Sequence, residues 1–474
     1  MTNMTTPVFL RSSRRTRSAA FRIVVIGFIV AFPSLLLAQD PIRDHRTEDS
    51  ARAAQAQLAS VTLNLPTAVQ IALKNNLGIQ IAKNNVTIAG IYNNYGIAGG
   101  LPSVNGTAAD QEQATSIKQQ YADPANNKQS NNALSNNLSG GLNANMLLFN
   151  GERVVTAKKR LGVIEDQSRQ QLGSRALIIV NNVMLKYYDI VRQQGYSKTL
   201  ERSIDASRER LKIVEAQQSV GLANNADLYQ SQVDLNTQIQ NLEAQQLVVD
   251  QDKTDLLTLL TLNPDSTIAV EDTILVDKNI ELSSILNAVK TANPDVMAAD
   301  QQITINQFIQ KETAAQRYPS LYLNAGYNYS RTRNSVGFSL LNLNYGPFAG
   351  VTLNVPIFNG GIYKRQQQVA GVNINTAQLT RDTLVLNYTS NAVKNWQAYK
   401  NNLKQLETVK ANYDLSQKLL DLVLLKFQLK QATIVDVKNA QQSFENAGFL
   451  LINVNFAAKS AEIQLRRYAN QLTN

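Results

Sequence analysis

Few side chains in this 474-residue chain could carry covalent or metal chemistry. There is no cysteine, and the only histidine is His45, in a polar, charged stretch. Thiol nucleophiles, disulfides, thiolate metal sites and lipid attachment through an N-terminal cysteine are therefore excluded, and histidine-based ligand sets are missing. Asp265, Glu271, Asp272 and Asp277 lie close in sequence. An enclosed carboxylate pair could serve as general acid and base, but this segment reads as a solvated connection. Gly99-Gly100, Gly140-Gly141 and Gly360-Gly361 precede no phosphate-loop pattern. They read as flexible junctions between helices and strands. Trp396 reads as helix packing rather than ligand stacking. No enzyme and no cofactor is expected.

The elements that hold these residues begin with a leader. Arg11, Arg14, Arg15, Arg17 and Arg22 precede an apolar run from Ile23 to Ala38, with no acid before it. That order describes a secretory signal peptide, residues 1–38, cut after Ala38. The run is short for a spanning helix and contains Pro33. Residues 39–60 read as a polar, flexible lead-in. The leader takes five positive charges with it, so a net charge of +10 falls to +5. Spread along the chain, that balance gives no support to nucleic-acid binding. No later apolar run is long enough for a spanning helix, so membrane residence would require a closed β-barrel.

The chain resembles itself. LLFNG at 147–151 and PIFNG at 356–360 place Phe149 and Phe358 209 residues apart; Asp227 and Asp436, and Gln232 and Gln441, share that offset. Pro102 and Pro319 are 217 apart. Two copies of one unit follow, residues 61–262 and 284–474, joined by 263–283. Each is expected to hold a helix (Thr67 to about Gly99; about Asp295 to Arg317), two strands flanking a polar loop, and two long helices. Asn263-Pro264 and Asn293-Pro294 read as punctuation between the copies. The polar loops are expected at about Ala114–Asn137 and Arg331–Asn344.

Alternation marks the strands. Leu321, Leu323, Ala325, Tyr327 and Tyr329 share one face, opposite Tyr322, Asn324, Gly326 and Asn328. Val351, Leu353, Val355 and Ile357 alternate with Gly350, Thr352 and Asn354; Leu142, Ala144, Met146 and Leu148 alternate with Asn143 and Asn145. An apolar face opposite an amide and glycine face fits a barrel with lipid outside and water inside; a soluble sandwich is the other reading. Four strands cannot close alone, so the membrane reading demands oligomers. Leu228, Leu235, Leu242, Val249 and Leu256 recur every seven residues, as do Val437, Phe444, Leu451, Ala458, Leu465 and Leu472. Coiled-coil packing follows. The partner positions Ser231, Gln238, Gln245 and Asp252 are polar, as if one face stayed wet. A helix from about Gly151 to Gln217 would span roughly 100 Å.

The two-copy layout, the FNG segments and the string LKQATIVDVKNAQ resemble TolC-like outer-membrane factors, over nearly the whole chain from about Leu63 to Leu472. The resemblance implies a mainly α fold with a transmembrane β portion: a homotrimer whose subunits each give four strands to a twelve-stranded barrel and continue as an α-barrel across the periplasm. It implies a passive exit duct in the outer membrane of a Gram-negative bacterium, in contact with outer-membrane lipid. The partners would be a periplasmic adaptor and an inner-membrane pump of RND or ABC type, for efflux or type I secretion. A stand-alone porin and an envelope coiled-coil scaffold are the alternatives. By position, Gly221 and Leu222 match the first helical tip, where the adaptor would dock. Lys430 and Gln431 stand at the second tip, where the family has glycine. Asp436 matches the first of two acidic aperture rings, and Asn439 the second; Lys438 would partly offset the charge. Asp436 could instead serve only to start its helix.

Overall fold

The computed structural model describes residues 62–336 and 339–472, so the expected signal peptide and the lead-in at 39–60 lie outside the described residues. In chain order the elements are α1 (Leu65–Asn75), α2 (Leu77–Tyr92), β1 (Ser103–Gln119), β2 (Lys128–Phe149), α3 (Arg153–Ser219) and α4 (Asn225–Leu259). The second copy supplies α5 (Leu282–Thr291), α6 (Pro294–Ala315), β3 (Ser320–Asn334), β4 (Leu341–Asn354), α7 (Ile362–Gln428) and α8 (Ile434–Tyr468). The long helices α3 and α7 are each 67 residues, and α4 and α8 are each 35. Such equal lengths are the duplication made visible.

Local chemistry sets each boundary. The FNG segments are the bends from strand to long helix: Gly151 and Glu152 have φ of 66° and 65°, and Gly360 and Gly361 have 67° and 76°. Two successive left-handed residues bend the chain from the strand into the helix that follows, which is why the motif recurs. Neither α3 nor α7 contains proline, so nothing interrupts the hydrogen-bond ladder. A methyl added at Gly448 would meet the Thr199 side chain at 2.7 Å, so this glycine lets α8 approach α3 closely.

The four strands form one antiparallel sheet in the order β1-β2-β3-β4, leaving β1 and β4 as its two edges. The helices continue it as a wall. Nearer the sheet the neighbours run α2, α3, α6, α7; beyond the midpoint they run α4, α3, α8, α7. The two short helices thus occupy the same column as the shorter long-hairpin helices, α2 above α4 and α6 above α8.

Both joints are made by asparagine. Asn76 caps α2 by accepting from the Gly78 N–H at 2.9 Å, and its Nδ2 donates to the Leu259 carbonyl at 2.9 Å, at the end of α4. Asn293 caps α6 by accepting from the Asp295 N–H at 3.0 Å and donates to the Tyr468 carbonyl at 3.1 Å, at the end of α8. One side chain therefore serves an orphan donor of one helix and an orphan carbonyl of the helix stacked beneath it. Apolar clusters surround each joint: Val183, Tyr187, Leu256 and Leu260 with Leu63 and Ile268, and Ile285, Val289, Tyr399, Leu465 and Tyr468.

Several expectations need correction. The single helix from Thr67 to Gly99 is two helices broken at Asn76, and α2 stops at Tyr92. Asn293-Pro294 lies inside the second copy as the counterpart of Asn76, not between copies. The strands also run through most of the expected polar loops. Ala114 pairs with Leu134, and Arg331 with Leu343, leaving short connections near 120–127 and 335–340. Polar side chains mislead there because backbone pairing, which hydrophobic alternation does not report, is what makes these stretches strand. Nor does the polar seam of α4 stay wet. Ser231 is fully buried, Gln245 bonds to Gln193 at 3.0 Å, and Asp252 pairs with Lys186 at 3.1 Å.

Asn293→Ala removes a cap and leaves a buried carbonyl unpaired, so it should cost about 2 kcal/mol or more. Asn76→Ala should behave alike, and exposed Asn85→Ala should be silent. Chemical denaturation of the three variants checks this; equal stability of all three contradicts the joint.

Candidate channel wall and helical tips

Register assigns every strand residue to one of two faces. One face carries, row by row, Val104, Ala144, Ala325 and Ala349; Gly106, Leu142, Tyr327 and Pro347; and Ala108, Gly140, Tyr329 and Tyr345. Nearer the helices it continues with Met146, Leu323 and Val351, then Leu321 and Leu353. The opposite face carries Asn105, Asn143, Gly326 and Phe348, then Thr107, Gly141, Asn328 and Gly346, then Ala109, Ser139, Ser330 and Asn344. Between the helices and the row of Gln113, Ser135 and Asn334, that face bears no charged residue. One face can contact lipid and the other water.

Ten of the thirteen strand residues singled out from alternation share the apolar face: Leu142, Ala144, Met146, Leu321, Leu323, Ala325, Tyr327, Tyr329, Val351 and Leu353. Leu148, Val355 and Ile357 do not belong to it as expected. Register shifts between Leu147 and Phe149, so Leu148 is the extra residue of a bulge and Phe149 takes the place opposite Leu321. Val355 and Ile357 lie beyond the end of β4, outside its pairing. Alternation alone cannot reveal a bulge, because the parity it counts is what the bulge changes.

The wall has an apolar stripe along each side. On α7, Val372, Leu379, Leu386, Leu415 and Leu422 are exposed; on α2, Leu77, Ile81, Ile88 and Ile91 are exposed, and on α4, Tyr229 and Val233. These helices lie at the ends of the wall, below the unpaired sheet edges. Single exposed leucines need no explanation, but stripes at helical spacing on both ends do.

At the far end from the sheet, α3 turns into α4 and α7 into α8 by the same geometry. Gly221 has φ of 76° and Lys430 of 61°; the Leu222 N–H donates to Gln217 O and the Gln431 N–H to Lys426 O, each at 2.8 Å. Both helices thus end in a left-handed residue that closes the last carbonyls. Lys430 does so without the freedom of glycine. Leu222, Lys430 and Gln431 are exposed, and Leu222 and Lys430 border a groove of about 320 Å³ with Ile213, Ala216, Val220 and Lys212.

Asp436 opens α8. Its carboxylate accepts from the Thr433 N–H and from the Thr433 hydroxyl, both at 2.8 Å, while the Asp436 N–H donates to Thr433 Oγ1 at 3.2 Å. This capping box holds its carboxyl below the usual range, chiefly through the backbone bond. Asp436 and Asn439 are both exposed. Lys438 is turned toward α4, where its ammonium lies 3.2 Å from Asp234. That same carboxylate takes Arg210 at 2.9 Å, and Arg210 is almost wholly buried. Nearby, Gln441 donates to Ser207 Oγ at 2.9 Å, and Ser203 donates to Glu445. This polar cluster escapes the sequence, where heptads mark only the apolar positions. Gln441 stands in the repeat, but nothing there reveals its contacts. Among the described residues no group of His, Asp and Glu could hold a metal, and no helix is long and apolar enough to cross a membrane.

These features define a channel-forming subunit of mixed α and β architecture. The family model for outer membrane efflux proteins matches residues 68–261 and 285–471, one region for each copy. The chain belongs to that family, which sets it among transport ducts rather than enzymes. In fold it is similar to the Campylobacter jejuni CmeC outer membrane channel, with a TM-score of 0.68 at 16% identity over 86% of this chain and 85% of that one. The outer membrane protein VceC of Vibrio cholerae superposes with the same TM-score and identity, over 86% and 96%. A relative named toxin and drug export protein A, from Aggregatibacter actinomycetemcomitans, is 20% identical over 301 residues, which span 62% of this chain and 64% of that protein.

Lys430→Gly should stabilise the second tip by roughly 0.5–1 kcal/mol, and Gly221→Ala should destabilise the first by about 1 kcal/mol. Denaturant midpoints test both. A loss of stability in Lys430→Gly contradicts the assigned backbone.

Proposed function

We propose that three copies of this chain close into a twelve-stranded barrel in the outer membrane of a Gram-negative bacterium, continued by a helical tube through the periplasm. The observation that carries this is the two-faced sheet with both edges unpaired, set on a wall whose end helices bear free apolar stripes. Each copy's β1 and α2/α4 side meets the next copy's β4 and α7 side. In lipid an open sheet edge is untenable, and closure satisfies every strand. A stand-alone porin has no use for 67-residue helices. A soluble scaffold leaves the apolar sheet face in water.

The duct is passive. Exported cargo, drug or polypeptide, enters from an inner-membrane pump of RND or ABC type through a periplasmic adaptor, in efflux or type I secretion. The adaptor docks at the exposed tips around Gly221 and Leu222 and around Lys430 and Gln431. The name of the toxin and drug export relative supports this class of cargo. At the aperture, Asp436 from each copy forms one carboxylate ring and Asn439 a neutral one. Lys438 offsets that ring little, because Asp234 engages it.

Reconstituted full-length protein should form heat-modifiable trimers that conduct weakly and are blocked by multivalent cations. Asp436→Asn should weaken the block about tenfold, while Asp227→Asn leaves it intact. Within one copy Thr433 holds the Asp436 carboxyl down, whereas three carboxylates in one ring push one another up, so block should fade as pH falls through the carboxylate range. Equal block in Asp436→Asn and wild type sinks the ring; a soluble, non-conducting product sinks the duct.

A further inference from the structure

Between the helices and the irregularity at Thr115/Ile117, the apolar face of the sheet carries four charges, in two adjacent rows. Asp110, Leu138, Arg331 and Leu343 form one; Glu112, Asn136, Arg333 and Leu341 form the next. They follow directly on the row that holds Tyr329 and Tyr345, about 7 Å further along the strands. From Leu321 to Tyr329 the apolar band runs roughly 27 Å along β3, close to the height of a barrel's lipid-facing band once strand tilt is allowed for. The charged rows lie at the end remote from the helices. Rows on the water face at the same level hold only Ser, Thr, Ala, Asn and Gln.

Neither arginine is neutralised by a carboxylate among the described residues. Arg331 donates to the neutral amide of Asn136 at 3.2 Å, and its Nε–H has no acceptor. Asn136 in turn donates to Asp110 at 2.7 Å, so the acid is held on β1, two strands from the arginines. Arg333 is exposed. Two guanidinium groups two residues apart on one strand face make a fork for a phosphate, and Leu341 and Leu343 beside them on β4 offer surface for an acyl chain.

We infer that Arg331 and Arg333 bind the phosphate headgroup of a lipid in the leaflet remote from the helices. The inference rests on the barrel reading above. A charge pair on a lipid-facing surface is otherwise unfavourable. At headgroup level, beside an aromatic row, a lipid phosphate reverses that sign.

The test uses the full-length protein in phosphatidylcholine nanodiscs, alone or doped with phosphatidic acid, with diacylglycerol, or bathed in inorganic phosphate. Phosphatidic acid should raise the thermal midpoint of the assembly by roughly 4 °C or more, and neither other addition should. Arg331→Gln/Arg333→Gln should abolish that shift, Arg331→Lys/Arg333→Lys should keep part of it, and Lys128→Gln should keep all of it. An equal shift with diacylglycerol or free phosphate, or a shift that survives the Gln pair, overturns the lipid-phosphate site. Conducting assemblies that show no shift overturn this inference alone. Protein that never enters the discs overturns the barrel reading with it. Should the Gln pair not assemble, loss of the shift in Arg333→Gln alone supports the site and its retention at full size opposes it.

Discussion

A β-sheet edge is a row of backbone donors and acceptors without partners, and everything distinctive about this chain follows from having two of them beside an apolar face. Water could satisfy the edges, but it would also wet Leu321, Leu323, Tyr327, Val351 and Leu353, which share that face. Lipid could cover the face, but it would strand the edges. Pairing edge to edge with further copies, as proposed above, would meet both demands. The helical wall inherits the same condition, since α7 ends it on one side and α2 with α4 on the other, each with its apolar stripe uncovered.

The wall must also reconcile unequal helices. Each copy contributes one unbroken helix of 67 residues and, in the adjacent column, a shorter helix stacked on one of 35. A stack leaves carbonyls open at one helix end and N–H groups at the next. Asn76 and Asn293 meet this with one amide each, accepting from the helix above and donating to the helix below. The apolar clusters around these joints exclude water from them, which makes the amides structurally indispensable rather than decorative.

Much of this was legible in the residues. The shared 209-residue offset gave two copies, and the family match divides at the same place. Heptads marked α4 and α8 because a helix packed along its length repeats its seam, and FNG marked a bend that needs left-handed backbone. What stayed hidden depends on contacts across the chain. The break at Asn76 is invisible because a capping asparagine flanked by Asn75 and Leu77 looks like ordinary helix. The polar reach of β1 and β2 past Ala114 looks like loop, since pairing with a neighbour, not composition, makes it strand. Asp436 was visible as an acid at a helix start, whereas the engagement of Lys438 by Asp234 required α4 and α8 to be brought together.

The edge condition can be tested directly because the chain has no native cysteine. With Thr107→Cys on β1 and Gly346→Cys on β4 in the same chain, a short bis-maleimide should join copies in the membrane. Closure by the sheet's own edges should give a ladder that ends at three, collapsing to no higher than dimer when either cysteine is present alone. Products confined to single copies, or a ladder continuing beyond three, would contradict closure of the sheet by its own edges.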